Sequence, residues 1–396
     1  MDFEETIDYL YSRGFFAVKF GLEGITDLVS KFNNPQNNYK TVHIAGTNGK
    51  GSVTSFISSV LIKQGYNVGI YTSPHLVDFR ERIKINDEMI SKKDLVRIVG
   101  KIKPYVKKQT FFEIITAIAF IYFSQKGVDI AVIEVGMGGR LDATNIINPE
   151  VCVITNISVE HTVHLGNTIE KISYEKGGII KQNVPVVTSP NGKAFEIIKK
   201  ICQEKSSELV VIEEKKLEIS MSGSFQQENA MLALDAINIL VKRGLNVDKK
   251  SIKKGIRVAK WPGRMDQVQE NILFDCAHNP DGAKTLIKEL KLLGYCDVIM
   301  IIGIMKDKEI KKMVSEFEQV SNDIIICKPN LERAASPIEI SKSLTKKYTI
   351  IPNIKKALSY ATQIADDRLI VLTGSIFTVG EGFGALSLEP FNSKIN

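Results

Sequence analysis

Apolar, strand-like runs alternate with helix-like segments almost from end to end of this chain, a pattern that favours parallel sheets joined by crossover helices. The first set of runs reads TVHIAG (41–46), NVGIYT (67–72), DIAVIEV (129–135), EVCVITNI (150–157) and VPVVT (184–188). Helix-forming segments such as Gly51–Gln64, Ser91–Lys103 and Phe111–Gln125 lie between them. RIKINDEMIS (82–91) alternates around an Asn-Asp pair and reads as a β-hairpin excursion. Residues 225–258 form two helical segments, and Met231, Leu234, Ile237 and Leu240 fall at helical spacing, as core positions do. After Trp261-Pro262-Gly263 the alternation restarts in NILFDCA, DVIMIIG, DIIICKP, YTIIP and RLIVLTG.

One junction in this pattern is specialised. VHIAGTNGKGSV (42–53) joins an apolar strand to a glycine-studded turn and then to a helix. Gly46, Gly49 and Gly51 let the backbone turn tightly and bring N–H groups near an anion, and the helix adds its positive N-terminal end. Lys50 can reach terminal phosphates, and Ser52 can help ligate Mg²⁺. The spacing departs from the ordinary G-x-x-x-x-G-K-[ST] loop, because Ile44 stands where the first glycine belongs and Gly51 separates the lysine from the hydroxyl. With 396 residues the chain exceeds what one core organises. An α/β fold is therefore expected, with a P-loop nucleotide-binding parallel-sheet domain over 1–259, including the helical segment 225–258, and a smaller Rossmann-like α/β domain over 260–396.

Composition narrows the class. The chain is 44% hydrophobic and 24% charged, ordinary for a soluble globular enzyme. Its formal charge of +7 is spread over scattered lysines, and no RRM-like aromatic pattern, zinc finger or basic helix points to nucleic acid. Five cysteines, odd in number and far apart, read as buried thiols in a reducing cytoplasm. Met1 to Arg13 lacks an apolar signal core, and no apolar run reaches the ~18 residues of a membrane span. A cytoplasmic, monomeric enzyme acting on small molecules is expected.

Polar residues recur at strand ends, where ligands of open α/β sheets gather. Glu134 ends an apolar strand before GMGGRLDATN and suits a Mg²⁺ ligand, although a carboxylate there can also cap the loop. TNISVEHTVHLG brings Glu160 and His161 to the same edge, His161 being a second metal-ligand candidate. Ser73, just past a strand in TSPHLVDFRERI, offers a hydroxyl to Mg²⁺, with Pro74 fixing the turn. Lys176 in SYEKGGIIK reads either as a surface cation or as a phosphate contact, since an ammonium beside Mg²⁺ would be repelled. In the second domain ILFDCAHNPDG places Asp275, His278 and Asn279 at a strand end, Arg264 follows Trp261-Pro262-Gly263, and Ser375 of LTGSI is free to bind a small polar ligand.

Taken in order, HIAGTNGKGS, YTSPHL…ERI, TFFE, IEVGMGGRLDATN, EHT, EKGGIIK, FQQENA, WPGR, DCAHNPDG and TGS resemble the folylpolyglutamate synthase and dihydrofolate synthase branch of the Mur ligase superfamily across nearly the whole chain. The resemblance implies an ATP-dependent carboxylate–amine ligase, with a Mur-ligase-type ATP-binding domain followed by a glutamate-ligase domain. ATP would phosphorylate a pterin acid, dihydropteroate or a folate, and the amine of L-glutamate would attack the acyl phosphate in a cleft that closes against water. By motif, Thr47, Asn48, Gly49, Lys50, Gly51 and Ser52 would hold the phosphates, with Asn229, Arg264 and Asp275 also contacting ATP. Ser73, Glu134, His161 and Lys176 would ligate two Mg²⁺ ions, the last as a carbamylated lysine. Phe112, Glu113, Leu141, Asp142 and Ala143 match pterin-side contacts, and His278 and Ser375 the glutamate pocket. Lys50, Lys176 and His278 would be the catalytic groups.

Two departures stand out. The family's strand-rich insertion is cut short between Glu208 and Ser224, and the pterin-contacting loop near Phe20-Gly21-Leu22 matches only loosely. A peptidoglycan-type ligase acting on a UDP-sugar acid is the alternative enzyme, opposed by TFFE and RLDATN. A nucleotide-binding module without catalysis is the non-enzymatic alternative.

Overall fold

Two sheets carry the chain in the computed structural model, which describes residues 1–14, 21–189 and 191–391. Phe20 of the loosely matching loop lies outside the described residues. The chain divides into two compact units, one of 1–75, 80–220 and 225–260 and one of 76–79, 221–224 and 261–391 among the described residues.

The first unit holds strands β1 (Lys40–Ala45), β2 (Val68–Tyr71), β3 (Ile83–Ile85), β4 (Glu88–Met89), β5 (Ile130–Glu134), β6 (Val151–Ile154), β7 (Val186–Thr188) and β8 (Leu209–Val211) in the order β4-β3-β2-β5-β1-β6-β7-β8. Pairing is parallel from β2 to β8 and antiparallel through β3 and β4, which form the hairpin expected at 82–91 with Asn86 in the left-handed conformation at its turn. β1 is central, flanked by β5 and β6, and its residues from Thr41 to Ala45 are all buried. A strand covered on both faces reads as a continuous apolar run, which is why this one was legible. The helix Lys50–Gln64 begins as soon as β1's loop ends. Phe225–Lys242 and Lys249–Val258 supply the two expected helices, and Met231, Ile237 and Leu240 are buried while Leu234 is half-buried.

The second unit builds β9 (Asp266–Gln269), β10 (Ile272–Phe274), β11 (Ile299–Ile302), β12 (Asp323–Ile326), β13 (Tyr348–Ile350) and β14 (Ile370–Thr373) in the order β13-β12-β11-β14-β10-β9. All pairs are parallel except β9 with β10. Its core lies between this sheet and helices such as Ile354–Ile364 and Ile376–Ala385, where Phe274 meets Phe383 edge to face at 5.1 Å. Parallel pairing sends the strand ends of each sheet to one edge, so the motif residues of each unit collect there. Cys152, Cys202, Cys276 and Cys327 are buried free thiols, whereas Cys296 is exposed. No helix among the described residues is long and apolar enough to cross a membrane.

Candidate active site

The glycine loop after β1 is held from outside. Thr47 N–H donates to the Asn156 carbonyl at 2.8 Å, Asn48 N–H donates to Asn156 Oδ1 at 2.9 Å, and Thr155 Oγ1 donates to the Asn48 carbonyl at 2.7 Å. Thr47 Oγ1 accepts the Ser158 N–H at 3.0 Å. Two glycines are sterically required. A Cβ on Gly46, at φ 149°, would lie 1.7 Å from Thr155 Oγ1, and one on Gly49, at φ 87°, would lie 2.4 Å from Asn229 Oδ1. No side chain caps the helix Lys50–Gln64 that Gly49 opens, so its first amides face the loop as an anion site does. Lys50 Nζ folds back to donate to the Gly46 and Thr47 carbonyls at 3.1 and 3.0 Å, which keeps the cation at the loop.

Lys176 proves to be no surface cation. It lies near the end of the helix Ile169–Gly177, is 1% exposed, and donates to the Gly46 carbonyl at 2.6 Å and to Glu160 Oε1 at 2.8 Å. Burial pushes its ammonium below the ordinary lysine value, Lys50 adds to that, and Glu160 opposes it. Burial would raise the Glu160 carboxyl, but Lys176, Lys50 and His161 outweigh it and hold the group well below the usual carboxylate range. His161, at φ 47° before the turn Thr162–Leu165, sits with Nε2 3.9 Å from Glu160 Oε2. Glu160 is thus the carboxylate that binds the cluster together. Only its place after a strand hinted at that, because its partner lies 16 residues further on.

Ser73 and Glu134 form a second pairing, the Ser73 N–H donating to Glu134 Oε2 at 3.1 Å next to the cis Ser73–Pro74 bond. Glu134 is 4% exposed. Among the described residues, no three His, Cys, Asp or Glu side chains gather where they could hold a metal ion. A hydroxyl and a carboxylate nevertheless fit Mg²⁺, which takes few protein oxygens and completes its shell with water and phosphate. Lys176 does not fit as an ammonium, since it is a cation that can only donate, as it does to Gly46 and Glu160, and has no lone pair for a metal.

The pterin-side motif residues are largely occupied in shaping backbone. Glu113 completes a capping box with Thr110 for the helix Phe111–Gln125, while its Oε1 is buried without a partner. Asp142 accepts the Thr144 N–H and the Met137 N–H, and burial pushes its carboxyl up. Phe112 packs over Gly136, and Leu141 is half-buried beside buried Ala143.

In the second unit the same economy is stricter. Ser375 is not free: the residue is 1% exposed, and its hydroxyl accepts the Thr378 N–H at 3.0 Å and meets Thr378 Oγ1 at 2.8 Å, capping the helix Ile376–Ala385. Asp275 accepts the Met265 and Ala277 N–H groups, and burial pushes its carboxyl up against the pull of Arg264. Arg264 donates to the Cys276 carbonyl at 3.1 Å, and His278 Nδ1 lies 2.9 Å from the same oxygen. Asn279 caps the helix Pro280–Leu292.

A family model described as Mur ligase middle domain matches residues 44–211, and one described as Mur ligase, glutamate ligase domain matches 263–376. The dihydrofolate synthase/folylpolyglutamate synthase of Bacillus subtilis is 30% identical over 422 residues, covering 96% of this chain and 98% of the relative. A probable bifunctional folylpolyglutamate synthase/dihydropteroate synthase of Haloferax volcanii is 31% identical over 424 residues, and this chain, 96% covered, spans about half of it (50%). The solved structure of Mycobacterium tuberculosis folylpolyglutamate synthase complexed with ADP superposes with a TM-score of 0.91 at 27% identity, covering 98% of this chain and 99% of that one.

Proposed function

Because this chain belongs to the folylpolyglutamate synthase and dihydrofolate synthase family of Mur ligases, we propose that it joins L-glutamate to the carboxylate of a pterin acid, dihydropteroate or a reduced folate, at the expense of ATP. The observation that carries this reading is the uncapped helix start after Gly49 with Lys50 turned onto the loop, the arrangement a triphosphate requires. A carboxylate is a poor electrophile until one oxygen becomes a phosphate leaving group, and that transfer depends on positioning and charge neutralisation.

In this reading the amides of Gly49 to Ser52 and the Lys50 ammonium hold the phosphates, with Asn48 fixing the loop through its N–H bond to Asn156 and Asn229 closing it from beside Gly49. By motif, Arg264 and Asp275 match ATP contacts and His278 an amino-acid contact. Ser73, Glu134 and His161 would hold Mg²⁺, which supplies charge neutralisation for the phosphates. Lys176 would join them only as a carbamate, and its depressed basicity favours the neutral amine that CO₂ must meet. Phe112, Leu141 and Ala143 face the pterin acid. Free, buried thiols suit a reducing cytoplasm.

The test is ADP release by the purified chain. It is expected only when a pterin acid and L-glutamate are both present, with dihydropteroate and tetrahydrofolate in separate arms deciding which acid is used. ADP release indifferent to glutamate, or driven by a UDP-sugar acid instead, overturns the reading.

A further inference from the structure

Under the glycine-rich loop 136–145 runs a buried relay of three side chains. Asp142 Oδ1 accepts both the Thr144 N–H, at 3.0 Å, and the Thr144 hydroxyl, at 2.5 Å. The hydroxyl hydrogen is thereby spent on the carboxylate, so toward His43 Nε2, 2.9 Å away, Thr144 Oγ1 can only accept. The network therefore assigns the proton of His43 to Nε2. Nδ1 is then a bare acceptor, in keeping with its having no hydrogen-bond partner. Asp142 Oδ2 takes the Met137 N–H at 2.9 Å, so one carboxylate spans the loop from 137 to 144.

His43 is placed to be rigid. It is fully buried in central β1, paired in register with Ile133 of β5 and Cys152 of β6. Burial, reinforced by Lys181, pushes its imidazole down to about 3, so the ring stays neutral and one tautomer persists at neutral pH. Lys181 itself donates to the Asn145 carbonyl at 2.9 Å, binding the same loop from its far end.

We propose that His43 is a positioning residue: by donating from the central strand to Thr144, it turns the Thr144 hydroxyl onto Asp142 and fixes the backbone of 136–145 that bears Leu141 and Ala143. The consequence for substrate rests on the reading of Leu141 and Ala143 as pterin-side contacts. Four variants of the full chain test it. His43→Leu removes the bond between His43 and Thr144, and Thr144→Val removes both that bond and the hydroxyl bond to Asp142, each with little change of volume, while His43→Gln and Thr144→Ser keep the donor and the hydroxyl.

Hydrogen exchange of the 136–145 peptide, read by mass spectrometry, is expected to quicken about tenfold in His43→Leu, the scale of one lost hydrogen bond, by at least as much in Thr144→Val, which loses two, and to stay near the parent rate in the other two. KM for the pterin acid is expected to rise about tenfold in the first pair while KM for ATP stays within about twofold. Unchanged exchange in His43→Leu overturns the proposal even if Thr144→Val quickens, as does an equal rise in both KM values. Quickened exchange with an unchanged KM for the pterin acid upholds the relay and instead overturns the pterin-side reading of Leu141 and Ala143. Should His43→Leu fail to fold, His43→Met, which has similar bulk and no hydrogen-bond donor, takes its place against His43→Gln.

Discussion

The strand-end edges of the two sheets differ in how far their polar side chains act on one another. In the first unit, side chains at this edge act on one another: Lys176 and Glu160 pair at 2.8 Å in near-complete burial, with Lys50 adding its charge and His161 3.9 Å from the same carboxylate. In the second unit, Asp275, Asn279 and Ser375 are each spent on backbone N–H groups. Opposed charges held in low dielectric are costly to keep and expensive to separate, which suits a region where charge must be neutralised during a reaction. Capping side chains fix loop shape at about 1 kcal/mol each and leave mainly backbone to face a ligand. The first edge is built to manage charge and the second to hold shape.

Substitutions should separate these two designs. The largest effect is expected from Lys50→Ala, which leaves the loop folded but removes its cation; kcat/KM for ATP should fall by about 10³-fold or more, the scale of one lost transition-state contact. A loss below about tenfold would move the charge-handling role away from this loop. Glu160→Gln leaves Lys176 buried without its counter-ion and should cost about 3–5 kcal/mol in urea unfolding, far more than any single substitution at the second edge. Equal costs at both edges would erase the contrast.

A pH series sharpens it further. His43 has a folded value of about 3 against an ordinary 6.5, so below about pH 6.5 the unfolded chain binds a proton that the folded chain refuses. Its contribution is complete above about pH 6.5 and declines as pH falls toward about 3, by up to about 1.4 kcal/mol per pH unit. His43→Gln should flatten that part of the stability profile while leaving it unchanged above pH 7. The smallest effect belongs to the second edge, where Ser375→Ala removes a cap and should cost about 1 kcal/mol. If stability holds while KM for glutamate rises steeply, the hydroxyl binds a ligand after all.

How far these features were legible in the sequence depends on what each residue's surroundings add. Buried parallel strands such as β1, β5, β11 and β14 announce themselves as apolar runs, and the two helices of 225–258 follow their spacing. β8 and β9 escaped because they are sheet-edge strands: Leu209–Val211 is only partly buried, and in Asp266–Gln269 one apolar residue stands among polar ones. Lys176 near a helix end looks like any terminal cation until the fold brings the Gly46 carbonyl and Glu160 to it. Ser375 sits where a ligand contact belongs, yet Ser-x-x-Thr before a helix equally describes an N-cap, and packing decided for the cap. His43 gave no signal at all, since an isolated histidine inside an apolar strand reveals nothing of a hydroxyl 101 residues away.

The glycine loop carries a lesson about portability. Its curvature is imposed by Thr155, Asn156 and Asn229, which come from two other segments of the chain and leave no room for a Cβ at Gly46 or Gly49. A hexapeptide TNGKGS grafted after a strand of another protein would carry the right letters without the mould that gives them form. The transferable module is the loop together with the end of β6 and one turn of the helix Phe225–Lys242. Grafts built at that size are the ones expected to bind.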